Sequence, residues 1–143
     1  MNRFVIDASV AAKWFLPPAR ETFVDEALEL LRRYTKGEIR FLVPDLFWAE
    51  FGNILWKAVR QGRWTRGAAE SAMAAMLARN LPTVPSRALL EEAFTIATAF
   101  ERTVYDGLYV ALAVDSTAPL VTADERLAHA LAAHFPVKWL GAA

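Results

Sequence analysis

Four acids could do chemistry together: Asp7, Glu50, Asp106 and Asp124. Asp7 ends the apolar run Phe4-Val5-Ile6, and Asp124 follows Leu120-Val121-Thr122. Asp106 opens an apolar stretch, and Glu50 has Leu46, Phe47 and Ile54 at helical spacing around it, inside the apolar stripe. Each acid taken alone has an ordinary explanation. Asp7 and Asp124 suit helix N-caps, Asp106 suits a capping box with Thr103, and Glu50 could reach water from the edge of its stripe. As a set they demand more, because two carboxylates about 4 Å apart repel by roughly 4 kcal/mol at an effective dielectric near 20. They must share protons or a cation. With no cysteine and no suitably placed histidine, all-oxygen ligation selects Mg²⁺, Mn²⁺ or Ca²⁺ over zinc. His129 and His134 fall on a late helix and suit solvent or a helix C-terminus better than a metal.

The elements that must position these acids follow from hydrophobic patterning. Short apolar runs with polar stops predict buried parallel strands at Phe4–Ile6, Phe41–Val43, Thr83–Val84 and Leu120–Thr122, and a further one at Val137–Trp139. Helices are expected between them. One covers Ser9–Leu16 before Pro17-Pro18, and one opens on Thr22-x-x-Asp25 and ends near Gly37. Another runs from Leu46 to Gln61 behind Asp45 as cap. The rest begin at Thr65, Ser86, Thr103 and Asp124. This alternation predicts an α/β fold: one domain over 1–143, with a central parallel sheet of four to five short strands and helices on both faces. In such sheets ligands collect at the carboxyl edge of the strands, where Asp7 and Asp124 fall.

Composition narrows the function classes. The 143 residues are 55% hydrophobic, enough for one core, and the 16 basic residues balance the 16 acidic ones. No global field draws the protein to a polyanion, so any such attraction is local. The apolar run Val10–Leu16 is broken by Lys13, so neither a signal peptide nor a membrane span is expected. Absence of cysteine fits a reducing cytoplasm. A local basic segment is present: Lys57, Arg60, Arg63 and Arg66 stand between Phe51 and Ala69 without an acid, interleaved with Trp56 and Trp64. It reads as a phosphate-contacting and base-stacking surface, or as a solvated hairpin whose tryptophans belong to the core or a dimer interface. Lys13 and Trp14 are alternative substrate contacts.

Four motifs in order resemble the PIN-domain ribonucleases and, among them, the VapC-type toxins of toxin–antitoxin pairs. They are Val5-Ile6-Asp7-Ala8-Ser9, Pro44-Asp45-Leu46 leading to Glu50, Tyr105-Asp106-x-x-Tyr109-x-x-x-Ala113, and Leu120-Val121-Thr122-Ala123-Asp124. The resemblance implies a Mg²⁺- or Mn²⁺-dependent endoribonuclease in which Asp7, Glu50, Asp106 and Asp124 hold the metal, supported by the hydroxyls of Ser9 and Thr122. It also implies cleavage to 5′-phosphate and 3′-hydroxyl ends and a small antitoxin as partner. A homodimer is the expected assembly, and Phe15, Phe47, Trp48 and Trp56 are the aromatics that could line a groove for a partner helix. Relatives that carry a further acid past the last Asp differ from this chain, which has Arg126 and Leu127 there.

Other classes fit less well. A haloacid-dehalogenase-like phosphatase needs a second acid where Ser9 stands, and a receiver domain needs an acid pair at Asp7. The six glycines form no phosphate loop. The alternatives that remain are a catalytically silent PIN-like binding module and an RNA-processing PIN nuclease outside a toxin–antitoxin pair.

Overall fold

β1 (Asn2–Ile6) is the central strand, paired on both edges, and its last three residues are buried beneath the helices that pack on the sheet. The computed structural model describes residues 2–142. β1 pairs in parallel with β2 (Ile39–Pro44) on one side and β4 (Leu120–Thr122) on the other; Val5 is opposite both Leu42 and Leu120. β3 (Thr83–Val84) extends the sheet beyond β2, and β5 (Val137–Trp139) extends it beyond β4. The order is β3-β2-β1-β4-β5, all parallel. The connections therefore run one way from β1 through β2 to β3 and then return to the other side of β1. At such a reversal neighbouring loops part at the carboxyl edge and open a crevice, which here lies between β1 and β4.

Among the described residues seven α-helices cover the sheet: α1 (Ala8–Ala12), α2 (Val24–Thr35), α3 (Leu46–Arg60), α4 (Arg66–Ala78), α5 (Ser86–Phe100), α6 (Val104–Ser116) and α7 (Glu125–Leu131). α6 is apolar all round and buried from Gly107 to Ala113, the pattern of a helix enclosed by neighbours. Its closest approach is to α5, where a Cβ on Gly107 would lie 2.4 Å from the Ala93 carbonyl oxygen, so only glycine fits. α3 buries Phe47, Phe51, Leu55 and Ala58 as one stripe. Glu50 stands beside that stripe with Leu46 and Ile54, half-buried, rather than within it.

Three local expectations are corrected. α1 closes after one turn at Ala12, and the chain reaches Leu16 through turns rather than a helix. Thr22 does not cap α2, because Phe23 in left-handed conformation (φ 56°) precedes the helix and supplies no side-chain bond. Asp45 does not cap its own helix; its carboxylate accepts from the Ser86 backbone N–H at 3.0 Å and from the Ser86 hydroxyl, and so caps α5. Thr65, Thr103 and Asp124 cap α4, α6 and α7 as their spacing predicts.

Candidate active site

The crevice at the β1–β4 reversal is an open cleft of about 580 Å³ whose lining includes Asp7, Ser9, Glu50, Asn53, Asp106 and Asp124. Four separate elements thus deliver one acid each to one place. Asp7 leaves β1 and caps α1, its Oδ1 accepting from the Ser9 N–H at 3.1 Å. The Thr122 hydroxyl, fully buried at the end of β4, donates to Asp7 Oδ2 at 2.8 Å and accepts from the Asp124 N–H at 3.0 Å. The Ser9 hydroxyl accepts from the Ala123 N–H at 3.3 Å, which ties α1 to the loop after β4.

Burial raises the proton affinity of three of these acids. For Asp7 it outweighs the donors Ser9 and Thr122, and the charges of Asp106 and Asp124 add to it. Glu50 is raised by burial and by Asp7 and Asp106, against the pull of a hydrogen bond from Tyr109. Asp106 is raised by burial and by Asp124, against the opposing guanidinium of Arg102. A cluster that holds protons more tightly than ordinary carboxylates is short of positive charge, and its donors are all oxygens. That chemistry fits a hard divalent cation. As the side chains stand, no three His, Cys, Asp or Glu groups among the described residues converge closely enough to grip an ion. Each carboxylate is instead turned to a partner of its own.

Two of those partners carry no role in the sequence reading. Tyr109 donates to Glu50 Oε1 at 2.7 Å and accepts from the Ala8 N–H at 3.4 Å, joining α6, α3 and α1 beneath the cleft. Its phenol is kept protonated by burial and by the charges of Asp7 and Glu50. The available signal was its spacing: Tyr109 lies three residues after Asp106, on the same face of an otherwise apolar helix. Arg102 has its Nε 3.3 Å from Asp106 Oδ2 and an Nη 4.0 Å from Asp124 Oδ2. Its signal was a basic residue four before Asp106, in the turn that leads into α6.

The remaining candidates divide. Lys13 is only 8% exposed and pairs with Glu21 at 3.2 Å. Trp14 turns inward, its indole N–H donating to the Ala27 carbonyl at 2.8 Å and its ring stacking on Phe41. Lys57 and Arg60 are exposed, and Arg63 is half-buried beside Gln61. Lys57 lies one turn past Asn53 and so continues the row of α3 residues that lines the cleft. Of the aromatics expected to form a partner groove, Phe47 is fully buried and Phe15 and Trp48 pack against the core, which leaves Trp56, 54% exposed under the Arg60 guanidinium.

The model of the PIN domain matches residues 4–131. Ribonuclease VapC3 of Pyrobaculum aerophilum is 30% identical over 128 residues, which cover 88% of this chain and 92% of that protein. The crystal structure of PAE2754 from Pyrobaculum aerophilum superposes with a TM-score of 0.68 at 23% identity, covering 98% of this chain and 92% of the other. A toxin–antitoxin complex from Klebsiella pneumoniae gives 0.59 at 13% identity, covering 94% and 95%. The two structures share the fold; the domain match and the identity to a curated relative go further. The chain belongs to the PIN-domain family, with its VapC-type members.

Proposed function

We propose that the protein is a metal-dependent endoribonuclease, the toxin of a toxin–antitoxin pair, and that Asp7, Glu50, Asp106 and Asp124 hold its Mg²⁺ or Mn²⁺. The observation that carries this is the delivery of four carboxylates from four elements into one cleft, three with raised proton affinity. The curated relative, a ribonuclease, supplies the substrate class, and the Klebsiella complex supplies the kind of partner. When bound, a divalent ion supplies an activated water and neutralises charge on the phosphoryl oxygens. The chain's residues do the positioning. Thr122 and Ser9 fix Asp7 and the loop after β4, and Tyr109 fixes Glu50. No side chain forms a covalent bond to phosphorus; water would add in line to phosphorus as the P–O3′ bond breaks and O3′ leaves with a proton, giving 5′-phosphate and 3′-hydroxyl ends.

Lys57 and Arg60 beyond Asn53 supply the local positive charge that an acidic cleft needs to retain a polyanion. Trp56 and Tyr105, 54% and 60% exposed, offer ring faces for bases. An antitoxin that covers the cleft, a homodimeric toxin and a cytoplasmic site of action belong to the same reading; among the described residues no helix is long and apolar enough to cross a membrane. The test is cleavage of structured RNAs with Mg²⁺, with Mn²⁺ and with EDTA, for wild type and Glu50→Gln. Metal-dependent cleavage by the wild type, lost in a Glu50→Gln variant that folds normally, is the expected result. Cleavage by Glu50→Gln at the wild-type rate removes Glu50 from the site. Absence of cleavage on every RNA in either metal leaves a silent binding module.

A further inference from the structure

Arg102 is held in place by the backbone on both sides. α5 ends at Phe100, and Glu101 reverses the chain in left-handed conformation (φ 54°). The Arg102 N–H then donates to the Ala97 carbonyl at 3.0 Å, and Thr103 immediately caps α6 by accepting from the Asp106 N–H at 3.1 Å. The guanidinium that leaves this fixed turn is 22% exposed and lies between Asp106 in α6, 3.3 Å from its Nε, and Asp124 at the cap of α7, 4.0 Å from an Nη. Asp7 and Glu50 have no basic partner among the described residues.

We propose that Arg102 is a built-in counter-ion that takes the place of a second metal, so that the cleft accepts one divalent cation, on the side of Asp7, Glu50 and Asp106. The inference rests on the metal site of the proposed function and narrows it, assigning one ion to Asp7, Glu50 and Asp106 and taking Asp124 out of the ligand set. A guanidinium is charged at every physiological pH, so the positive charge beside Asp124 is permanent. Both oxygens of Asp124 are already faced by positive character: Oδ1 accepts from the Leu127 N–H at 3.1 Å and Oδ2 lies 4.0 Å from the Arg102 guanidinium. A cation ligated there would meet the guanidinium at close range and be repelled by it. Asp106 gives only Oδ2 to Arg102 and keeps Oδ1 for an ion. Arg102 therefore acts as a positioning residue, setting which acids a metal can reach.

The test is a Mn²⁺ titration, followed by calorimetry and by the paramagnetic signal of free Mn²⁺, on wild type, Arg102→Lys, Arg102→Met and Asp124→Asn. Wild type and Arg102→Lys should take up one ion per chain. Arg102→Met should take up a second ion, or bind the first about tenfold more tightly, because a fixed positive charge has gone. Asp124→Asn should weaken the first ion by less than about threefold, since that acid is engaged by Arg102 rather than by the metal. This last measurement decides the matter if Arg102→Met does not fold. Two ions on the wild type, equal binding by wild type and Arg102→Met, or loss of binding in Asp124→Asn overturns the counter-ion role. Uptake of no Mn²⁺ by either wild type or Arg102→Met removes the metal site of the proposed function, and this inference with it.

Discussion

Replacing Asp7 by Asn should stabilise the metal-free protein at neutral pH and remove most of its response to divalent cations. Burial, then Asp106 and Asp124, raise the proton affinity of Asp7 above its ordinary value of 3.8. A carboxyl that binds its proton more tightly folded than unfolded contributes stability that is fully present below the unfolded pKa and lost as pH rises through the folded one. Glu50 and Asp106 are raised as well and act with the same sign. The metal-free wild type should therefore be most stable in mild acid and lose stability from about pH 4 upward. Two unit charges about 6 Å apart repel by roughly 3 kcal/mol at an effective dielectric near 20. Against this, the hydrogen bonds from Ser9 and Thr122 to an ionised Asp7 return about 1–2 kcal/mol, part of which an amide keeps. The net expectation for Asp7→Asn is a gain of about 1–2 kcal/mol at pH 8 and almost none at pH 4. Urea unfolding in EDTA across that range measures it. Repeating the series with Mn²⁺ at about a hundred times its Kd should add about 2.7 kcal/mol to the wild type and far less to the variant. An Asp7→Asn protein that is less stable than wild type at pH 8 in EDTA, or that gains as much from Mn²⁺, refutes the reasoning.

Tyr109→Phe should lose about 1.5–3 kcal/mol at pH 8, where the phenol donates to an ionised Glu50, and less at pH 4; parallel denaturant curves at the two pH values check this. Cleavage should fall with it, because Glu50 is then free to turn away. Gly107→Ala drives a methyl group into the Ala93 carbonyl and should cost about 1–3 kcal/mol, read as a drop in Tm with the metal response intact. Lys57→Ala should weaken RNA binding without changing Tm and should reduce the slope of log K against log salt by about one, measured by fluorescence anisotropy in EDTA.

The parts of the fold that were legible in the sequence are those that depend on local pattern. Val5-Ile6 and Leu120-Val121 could hardly be anything but doubly covered strands, and Thr103 and Asp124 stand at the right spacing before apolar helices to be read as caps. What escaped depends on contacts distant in sequence. Asp45 has the right spacing to cap α3, yet its partner Ser86 is brought to it by the pairing of β2 with β3. Lys13 looks like a free cation until Glu21 folds back on it. Arg102 and Tyr109 escaped for a related reason. The significance of each lies in the acid it meets on another element, Asp124 for one and Glu50 for the other, and hydrophobic period carries no trace of that meeting.

Those long-range partners explain how the cleft can hold its acids apart and ready. Thr122 ties β4 to β1 through Asp7, Tyr109 ties α6 to α3 through Glu50, and Arg102 ties the α5–α6 turn to α7 through Asp124. Each contact joins a carboxylate to a hydroxyl or guanidinium on a different element, so the network that lessens repulsion also links the elements around the cleft. An acid without such a donor would either take up a proton or swing into water, and both outcomes dismantle a site for a hard cation. The donors are graded in charge as well as in place. Hydroxyls face Asp7 and Glu50, and the permanent charge of a guanidinium faces Asp106 and Asp124. Substitutions at Thr122, Tyr109 or Arg102 should for this reason change metal affinity while leaving every carboxylate in the chain untouched.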